Sequence, residues 1–420
     1  MLRCAQHDNS HLYIRSMRKI SADYIFPVSS APIKNGVVVV DDEGRILEIT
    51  PPPTPSRGGY PAEVEVHEGI IVPGFVNTHC HLELSHLKGE LSRQKGLTGF
   101  ISELIPKRGA FSEEQIKAAI VSADEEMWRN GIVAVGDISN TDNSFFQKKK
   151  SKIAYHTFIE IFDLVSERAE KVFEDAKRLT STINPVRTAQ PGGHQPSTLS
   201  PHSPYTVSGK LMELIDSQKP SILSIHNQET ILENELFSFG TGALAELMKN
   251  AGVDVDLKRR AKSSALFIMS YLLEAEKILL VHNTYTSKQD LDIIRSYTAA
   301  SGHEAVLCLC PRANLYIENR LPDIPMFLAE GMKITIGTDS LASNDSLSIL
   351  DELKTISKHY PAISFETLII WATKNGAEFL GMEKQLGTIE KGKKPGLNLI
   401  SGVSSDKMQL LGSSKVQKLV

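Results

Sequence analysis

The sequence predicts an α/β fold, a (β/α)8 barrel with β-rich segments at both chain ends, and three observations predict it. Eight apolar, β-branched runs recur through the middle of the chain, helix-like stretches lie between them, and both ends read as short strands. Strand and helix alternating at that count favour a closed parallel barrel over an open doubly wound sheet. The 420 residues, 41% of them apolar, allow two or three domains, or one large barrel with an appendage, and a sizeable core.

Taken in order, residues 1–16 show no periodicity and read as a leader that is disordered or not native, so that Met1 and Met17 both stand as starts. From Met17, MRKISADYIFPVSS and KNGVVVVDDEGRILEI alternate as short strands do, with DDEG as a hairpin turn. The proline- and glycine-rich PPPTPSRGGYP (51–61) is a loop. Barrel strands are then expected at GIIVPGFV (69–76), GIVAVGDI (131–138), KIAYHTFIEIF (152–162), STLSPHSP (197–204), SILSIH (221–226), KILLVH (277–282), EAVLCLC (304–310) and KITIGTD (333–339). The fourth follows an irregular connection at 182–197 rich in breakers. Helices are expected over 112–130 and 240–250, with Trp128 and Trp371 as packing residues in helical stretches. LGTIEKGKKPGLNLISG returns to short strands.

Composition excludes several classes. With 46 basic and 50 acidic residues the formal charge is −4, which leaves no basic footprint for nucleic acid. No apolar run approaches eighteen residues, so no membrane-spanning helix is expected, and the start lacks the apolar stretch of a secretion signal. Cys4, Cys80, Cys308 and Cys310 do not make a disulfide scaffold and read as small apolar side chains of a cytoplasmic protein.

In such a barrel the chemistry sits at the C-terminal strand ends. The first expected strand runs into Asn77-Thr78-His79-Cys80-His81, the fifth into His226-Asn227-Gln228-Glu229, the sixth into His282-Asn283, and the eighth into Thr338-Asp339-Ser340. His79 and His81 are two apart, so on extended backbone both imidazoles point the same way. Three histidines and an aspartate converging on one mouth offer the nitrogen and oxygen donors that Zn2+ or Fe2+ takes.

The segments PGFVNTHCHLELSHLKG, SPHSPYTVS, HNQE, LVHNTY, CPRANLYI and GTDSLASNDSLSILDEL together resemble the amidohydrolase superfamily, over roughly residues 17–400. Within it the chain is most similar to the mononuclear deaminase and chlorohydrolase branch, and the HLELS string to aminofutalosine deaminase-like members. The resemblance implies a distorted TIM barrel over 70–383 and a small β-sandwich composed of 17–69 and 384–420. It implies His79, His81, His226 and Asp339 as ligands of one divalent metal, zinc first and iron(II) second. Dinuclear members use a bridging lysine or glutamate from the fourth strand, whereas here Pro201-His202-Ser203-Pro204 has no lysine. Glu229 matches the proton-shuttling glutamate and His282 the histidine that orients water or the developing oxyanion. His202 resembles a substrate-contacting histidine, with Glu83 and Glu160 as further substrate-binding candidates. Arg312, Asn314, Ser343 and Asn344 fit loop-fixing roles, and Asp137 a supporting one. The chain departs from the family's GKxADLVL-like terminal strand at Gly392-Lys393-Lys394-Pro395-Gly396-Leu397-Asn398-Leu399.

The chemistry has its own logic. Displacing an amino group from an aromatic ring at neutral pH needs activated water, which a divalent metal supplies. A carboxyl group beside the site must protonate the ring nitrogen, a contribution of about 10²–10⁴-fold. The expected function is therefore hydrolytic deamination of an aminated heterocycle, an adenine-type nucleoside such as 6-aminodeoxyfutalosine in menaquinone biosynthesis. Rival readings are loss of chloride or an alkylamine from a triazine-like ring, guanine or pterin deamination, and a non-catalytic scaffold. The expected partner is a small heterocyclic substrate, with no nucleic acid and no membrane, and relatives of this kind suggest a homodimer.

Overall fold

The computed structural model describes residues 17–51, 63–183, 196–250, 252, 263–404 and 408–420. The leader with Cys4, nearly all of the 51–61 loop, and 184–195 of the 182–197 connection lie outside the described residues.

Five strands come first: β1 (Arg18–Ile25), β2 (Ile33–Lys34), β3 (Val37–Val40), β4 (Ile46–Thr50) and β5 (Val64–Pro73). Eight parallel strands follow: β6 (Phe75–Cys80), β7 (Ile132–Ser139), β8 (Ala154–Ile161), β9 (Ser197–Pro201), β10 (Ile222–Asn227), β11 (Lys277–His282), β12 (Glu304–Leu309) and β13 (Lys333–Ile336). The chain closes with β14 (Leu397–Val403) and β15 (Leu410–Lys418). Each of the eight expected runs carries strand, and the helix expected over 112–130 is Glu113–Arg129, opened by a capping box in which Ser112 and Gln115 exchange hydrogen bonds. The 240–250 stretch is helical only from Ala243 to Asn250, because Gly240 ends the preceding helix Ile231–Phe239 with a left-handed φ of 66°.

These eight strands form two separate parallel four-stranded sheets, β6-β7-β8-β9 and β10-β11-β12-β13, rather than one closed sheet. Between them the ladder reduces to isolated links. The His226 N–H donates to the His202 carbonyl at 2.9 Å, and the Thr338 and Asp339 N–H groups both donate to the His79 carbonyl at 3.0 and 3.1 Å. Both seams therefore lie at the strand ends where the chemical residues are.

Where a β-sandwich is expected, the chain ends form a single hydrogen-bonded sheet in the order β15-β14-β5-β1-β3-β4, with β2 on β1. The run 69–76, expected as one barrel strand, is divided. Ile70–Pro73 pair with β14 in this sheet, and Phe75 begins β6 of the first parallel sheet. Gly74 sits between them because nothing larger fits: a Cβ there would lie 2.4 Å from Val133 and 2.6 Å from the Pro395 carbonyl. The departure at Asn398 is also structural. Its side-chain N–H donates to the Gly131 carbonyl at 2.9 Å, tying β14 to the turn before β7. Trp371 is buried, and Cys80, Cys308 and Cys310 are buried free thiols, as small apolar side chains would be.

Candidate active site

The polar strand ends converge on a cavity of about 340 Å³, into which His81, Glu160, His202, His226, Glu229, His282 and Asp339 all face. Its remaining wall is mostly apolar, with Leu84, Leu97, Phe100, Leu104, Phe162, Tyr205 and Leu244 among the lining residues. Such a balance suits a flat heterocycle held by a few directed polar groups.

His79 is the penultimate residue of β6 and is fully buried. Its Nε2 lies 3.2 Å from His81 Nε2 and 3.7 Å from Asp339 Oδ1, and His81 Nε2 lies 3.5 Å from the same oxygen. His226 enters from β10 with Nδ1 2.7 Å from the His202 carbonyl, so Nδ1 carries the proton and Nε2 is bare. Burial lowers the pKa of His79, and holds those of His81 and His226 well below an ordinary imidazole. His79 and His81 thus crowd the Asp339 carboxylate, and His226 joins His79 and His81 in one cluster of ring nitrogens. That donor set fits a divalent cation. Potential ligand atoms lie within 4.8 Å of one another in His79, His81 and His226, in His79, His282 and Asp339, and in Glu160, His202 and His226.

Asp339 follows β13 with φ 56°, and His282 ends β11 with φ 74°. Non-glycine residues in the left-handed region are strained, and such strain gathers at functional sites. Burial works to raise the Asp339 carboxyl, but His79 beside it and the nearby His81 and His282 imidazoles outweigh that, holding it well below the usual range. The Ser343 hydroxyl donates to Asp339 Oδ2, leaving Oδ1 turned toward the imidazoles. Gly337 lets β13 approach so closely: a Cβ there would meet His79 Cβ at 2.8 Å and the Cys308 and Cys310 sulfurs at 2.9 Å.

Glu229 Oε1 lies 3.6 Å from His282 Nε2, and burial pushes its pKa up to about 7 although His282 opposes this. A carboxyl poised near neutrality can both hold and release a proton. The His282 ring is fixed from behind, where Nδ1 donates to the Asn314 side-chain oxygen at 2.9 Å. Glu160, at the end of β8, is also raised to about 7 by burial and lies 3.6 Å from His226 Nδ1. His202 lines the cavity with Nδ1 2.8 Å from the Thr206 hydroxyl, and burial lowers its pKa to about 4.

Glu83, expected as a substrate-binding candidate, is not among the residues that line the cavity. It is buried behind the wall and spends its oxygens on the Arg108 guanidinium, the Asn140 N–H, and the Thr141 N–H and hydroxyl. Its position makes it a brace for the loop after β7. Asn140 and Arg108, which sequence reasoning passed over, do line the cavity. Asn140 donates from Nδ2 to Glu160 Oε2 at 2.9 Å. Its place directly after the second barrel strand was the available signal. Arg108 gave none, since it closes a helix far from any strand end. Asp137 accepts the Leu82 N–H at 2.8 Å, anchoring the turn just after His81, and pairs with the fully buried Lys148 at 2.5 Å.

Among the described residues no helix is long and apolar enough to cross a membrane. The amidohydrolase family profile matches residues 70–420. A curated 5-methylthioadenosine/S-adenosylhomocysteine deaminase from Syntrophomonas wolfei is 23% identical over 382 residues, covering 88% of this chain and 81% of that protein. The crystal structure of Helicobacter pylori aminofutalosine deaminase in complex with methylthio-coformycin superposes with a TM-score of 0.72 at 23% identity, over 93% of this chain and 94% of that one. The zinc complex of atrazine chlorohydrolase from Arthrobacter aurescens also reaches 0.72, at 16% identity, over 96% and 95% of the two chains.

Proposed function

The chain belongs to the amidohydrolase family and is a hydrolase of carbon–nitrogen bonds other than peptide bonds, and from that premise we propose that it releases ammonia from an aminated aromatic heterocycle. The observation that carries the proposal is Glu229, a carboxyl near neutral pKa in an apolar-walled cavity, facing the same space as His81, His226, His282 and Asp339. An adenine-type nucleoside, such as 6-aminodeoxyfutalosine or a methylthioadenosine-like compound, is the substrate class that the similar proteins support.

The reading assigns one divalent metal, zinc before iron(II), to His79, His81, His226 and Asp339, in a closed (β/α)8 barrel over 70–383. The composite β domain of 17–69 and 384–420 and a cytoplasmic location belong to the same reading. When bound, such a metal supplies Lewis acidity and a water acidic enough to attack at neutral pH. The residues do the rest. Asp339 takes up the proton of the attacking water. Glu229 delivers a proton to the ring nitrogen as the neighbouring carbon becomes tetrahedral, which prevents negative charge from building on the heterocycle. His282, fixed by Asn314, stabilises the new oxygen. Asp339 then passes the proton it took from the water to the amino group, the carbon–nitrogen bond breaks to release ammonia, and the new hydroxyl returns a proton to Glu229 as the ring carbonyl forms. Leu97, Phe100 and Leu104 keep bulk water from the ring.

The test is ammonia release by zinc-loaded protein across aminodeoxyfutalosine, 5'-methylthioadenosine, S-adenosylhomocysteine, adenosine, guanine, cytosine, pterins and an amino-triazine. Turnover of one adenine nucleoside at kcat/KM of about 10⁴ M⁻¹s⁻¹ or more supports the proposal. Silence on every amine, with chloride or alkylamine released from a triazine, would replace it.

A further inference from the structure

A second cavity, of about 430 Å³, lies at the opposite end of the strands. Val133 and Ala154 line it near the starts of β7 and β8, far along those strands from Ser139 and Glu160. Its volume falls in the range of small-molecule sites, about 300–1,000 Å³. Four lysines line it, Lys152, Lys384, Lys394 and Lys418, against one acidic side chain, Glu43. Glu43 is engaged by Lys394 at 2.6 Å.

Lys418 is the telling residue. As the last residue of β15 its Nζ is buried, with no hydrogen-bond partner among the described residues, and lies 3.9 Å over the Trp128 ring. Lys152 Nζ stands 5.6 Å from the same ring. A cation–π contact offsets only part of the cost of removing an ammonium group from water. Burial accordingly lowers the Lys418 pKa to about 8. Val133, Leu380, Met382 and Leu386 supply an apolar floor to the same cavity. A buried unpaired cation beside an apolar floor is satisfied by a molecule with an anionic group at one end and an apolar body at the other.

We propose that this cavity is a binding site for a small amphiphilic organic anion, a carboxylate, phosphate or sulfonate with an apolar body, whose charged group sits against Lys418 and Lys152. The site is separate from the deaminase mouth and does not depend on the reaction assigned to it.

The probes are 8-anilinonaphthalene-1-sulfonate and N-phenyl-1-naphthylamine, which share the ring system while only the first is charged, titrated by fluorescence into metal-loaded full-length protein. One saturable site preferring the sulfonate by at least tenfold is expected. Lys418→Met should remove that preference, Lys418→Arg should keep it, and Lys152→Gln should reduce it. Because Lys152 is exposed, its variant keeps the test valid should Lys418→Met fold poorly. Equal affinities, binding of neither probe, an unchanged preference in Lys418→Met or in Lys152→Gln, or displacement of the sulfonate by a heterocyclic substrate would each overturn the proposal.

Discussion

Replacing Lys148 by methionine should destabilise the protein through Asp137, and the structure sets the size of the effect. Both side chains are fully buried, 2.5 Å apart, and Lys148 Nζ also donates to the Ser139 hydroxyl at 2.9 Å and the Thr157 hydroxyl at 3.1 Å. Methionine preserves the bulk and removes the charge, leaving Asp137 with only the Leu82 N–H and the Ser139 hydroxyl. Removing one member of a buried pair costs about 3–5 kcal/mol, because the other charge remains desolvated. For 420 residues the unfolding entropy is about 0.9 kcal/mol per kelvin if the chain melts as one unit, so Tm should fall by about 3–6 °C. Burial raises the Asp137 pKa even with Lys148 present. Its protonated form is therefore favoured in the folded state, and a carboxyl raised in this way loses stability as pH rises. The deficit of Lys148→Met should accordingly be smaller at pH 5 than at pH 7. The assay is calorimetric melting of the metal-free protein at both values, with Asp137→Asn/Lys148→Met alongside. A single variant within about 1 °C of the parent, or a double variant no better than the single, would refute the reasoning.

Four further outcomes are expected. Asp339→Asn should abolish turnover, and Glu229→Gln should keep its metal by elemental analysis while slowing ammonia release at least about a hundredfold; loss of metal in the latter would make Glu229 a ligand or its support. Gly337→Ala should push on His79 and the Cys308 and Cys310 sulfurs, weakening metal retention by about 10–100-fold in a chelator competition, and unchanged retention would show that β13 can yield. Glu160, raised to about 7, favours folding while protonated and loses that contribution as pH rises from its free value through about 7. Glu160→Gln should therefore stabilise the metal-free protein at pH 8 by up to about 3 kcal/mol and leave it unchanged near pH 4.5; a pH-independent effect would remove Glu160 as the titrating group.

Much of this protein was legible in its residues because the information is local. A strand declares itself by a short β-branched run, and residues two apart on it share a face, so His79 and His81 could be paired before any packing was known. The histidines and carboxylates ending the runs at His226, His282 and Asp339 were equally visible, since a polar residue closing an apolar strand needs no distant contact to be noticed. Less local features were not. The division of 69–76 at Gly74 depends on Val133 and Pro395, which lie far away in the chain. Glu83 was legible only as a substrate-binding candidate in the loop after the first strand; its contacts with Arg108, Asn140 and Thr141 come from elsewhere in the chain.

The sequence by itself determined the alternation of strands and helices, the set of metal-compatible side chains and their order along the chain. Tertiary structure alone decided which of them meet, which carboxyls lose their water and which cations stay unpaired. The physical reason is that donor chemistry and strand period belong to the residue and its neighbours. Desolvation belongs to the whole packing: Glu229 and Glu160 are raised toward neutrality, Asp339 is held ionised, and Lys418 is stranded over Trp128, only by what surrounds them from elsewhere in the chain.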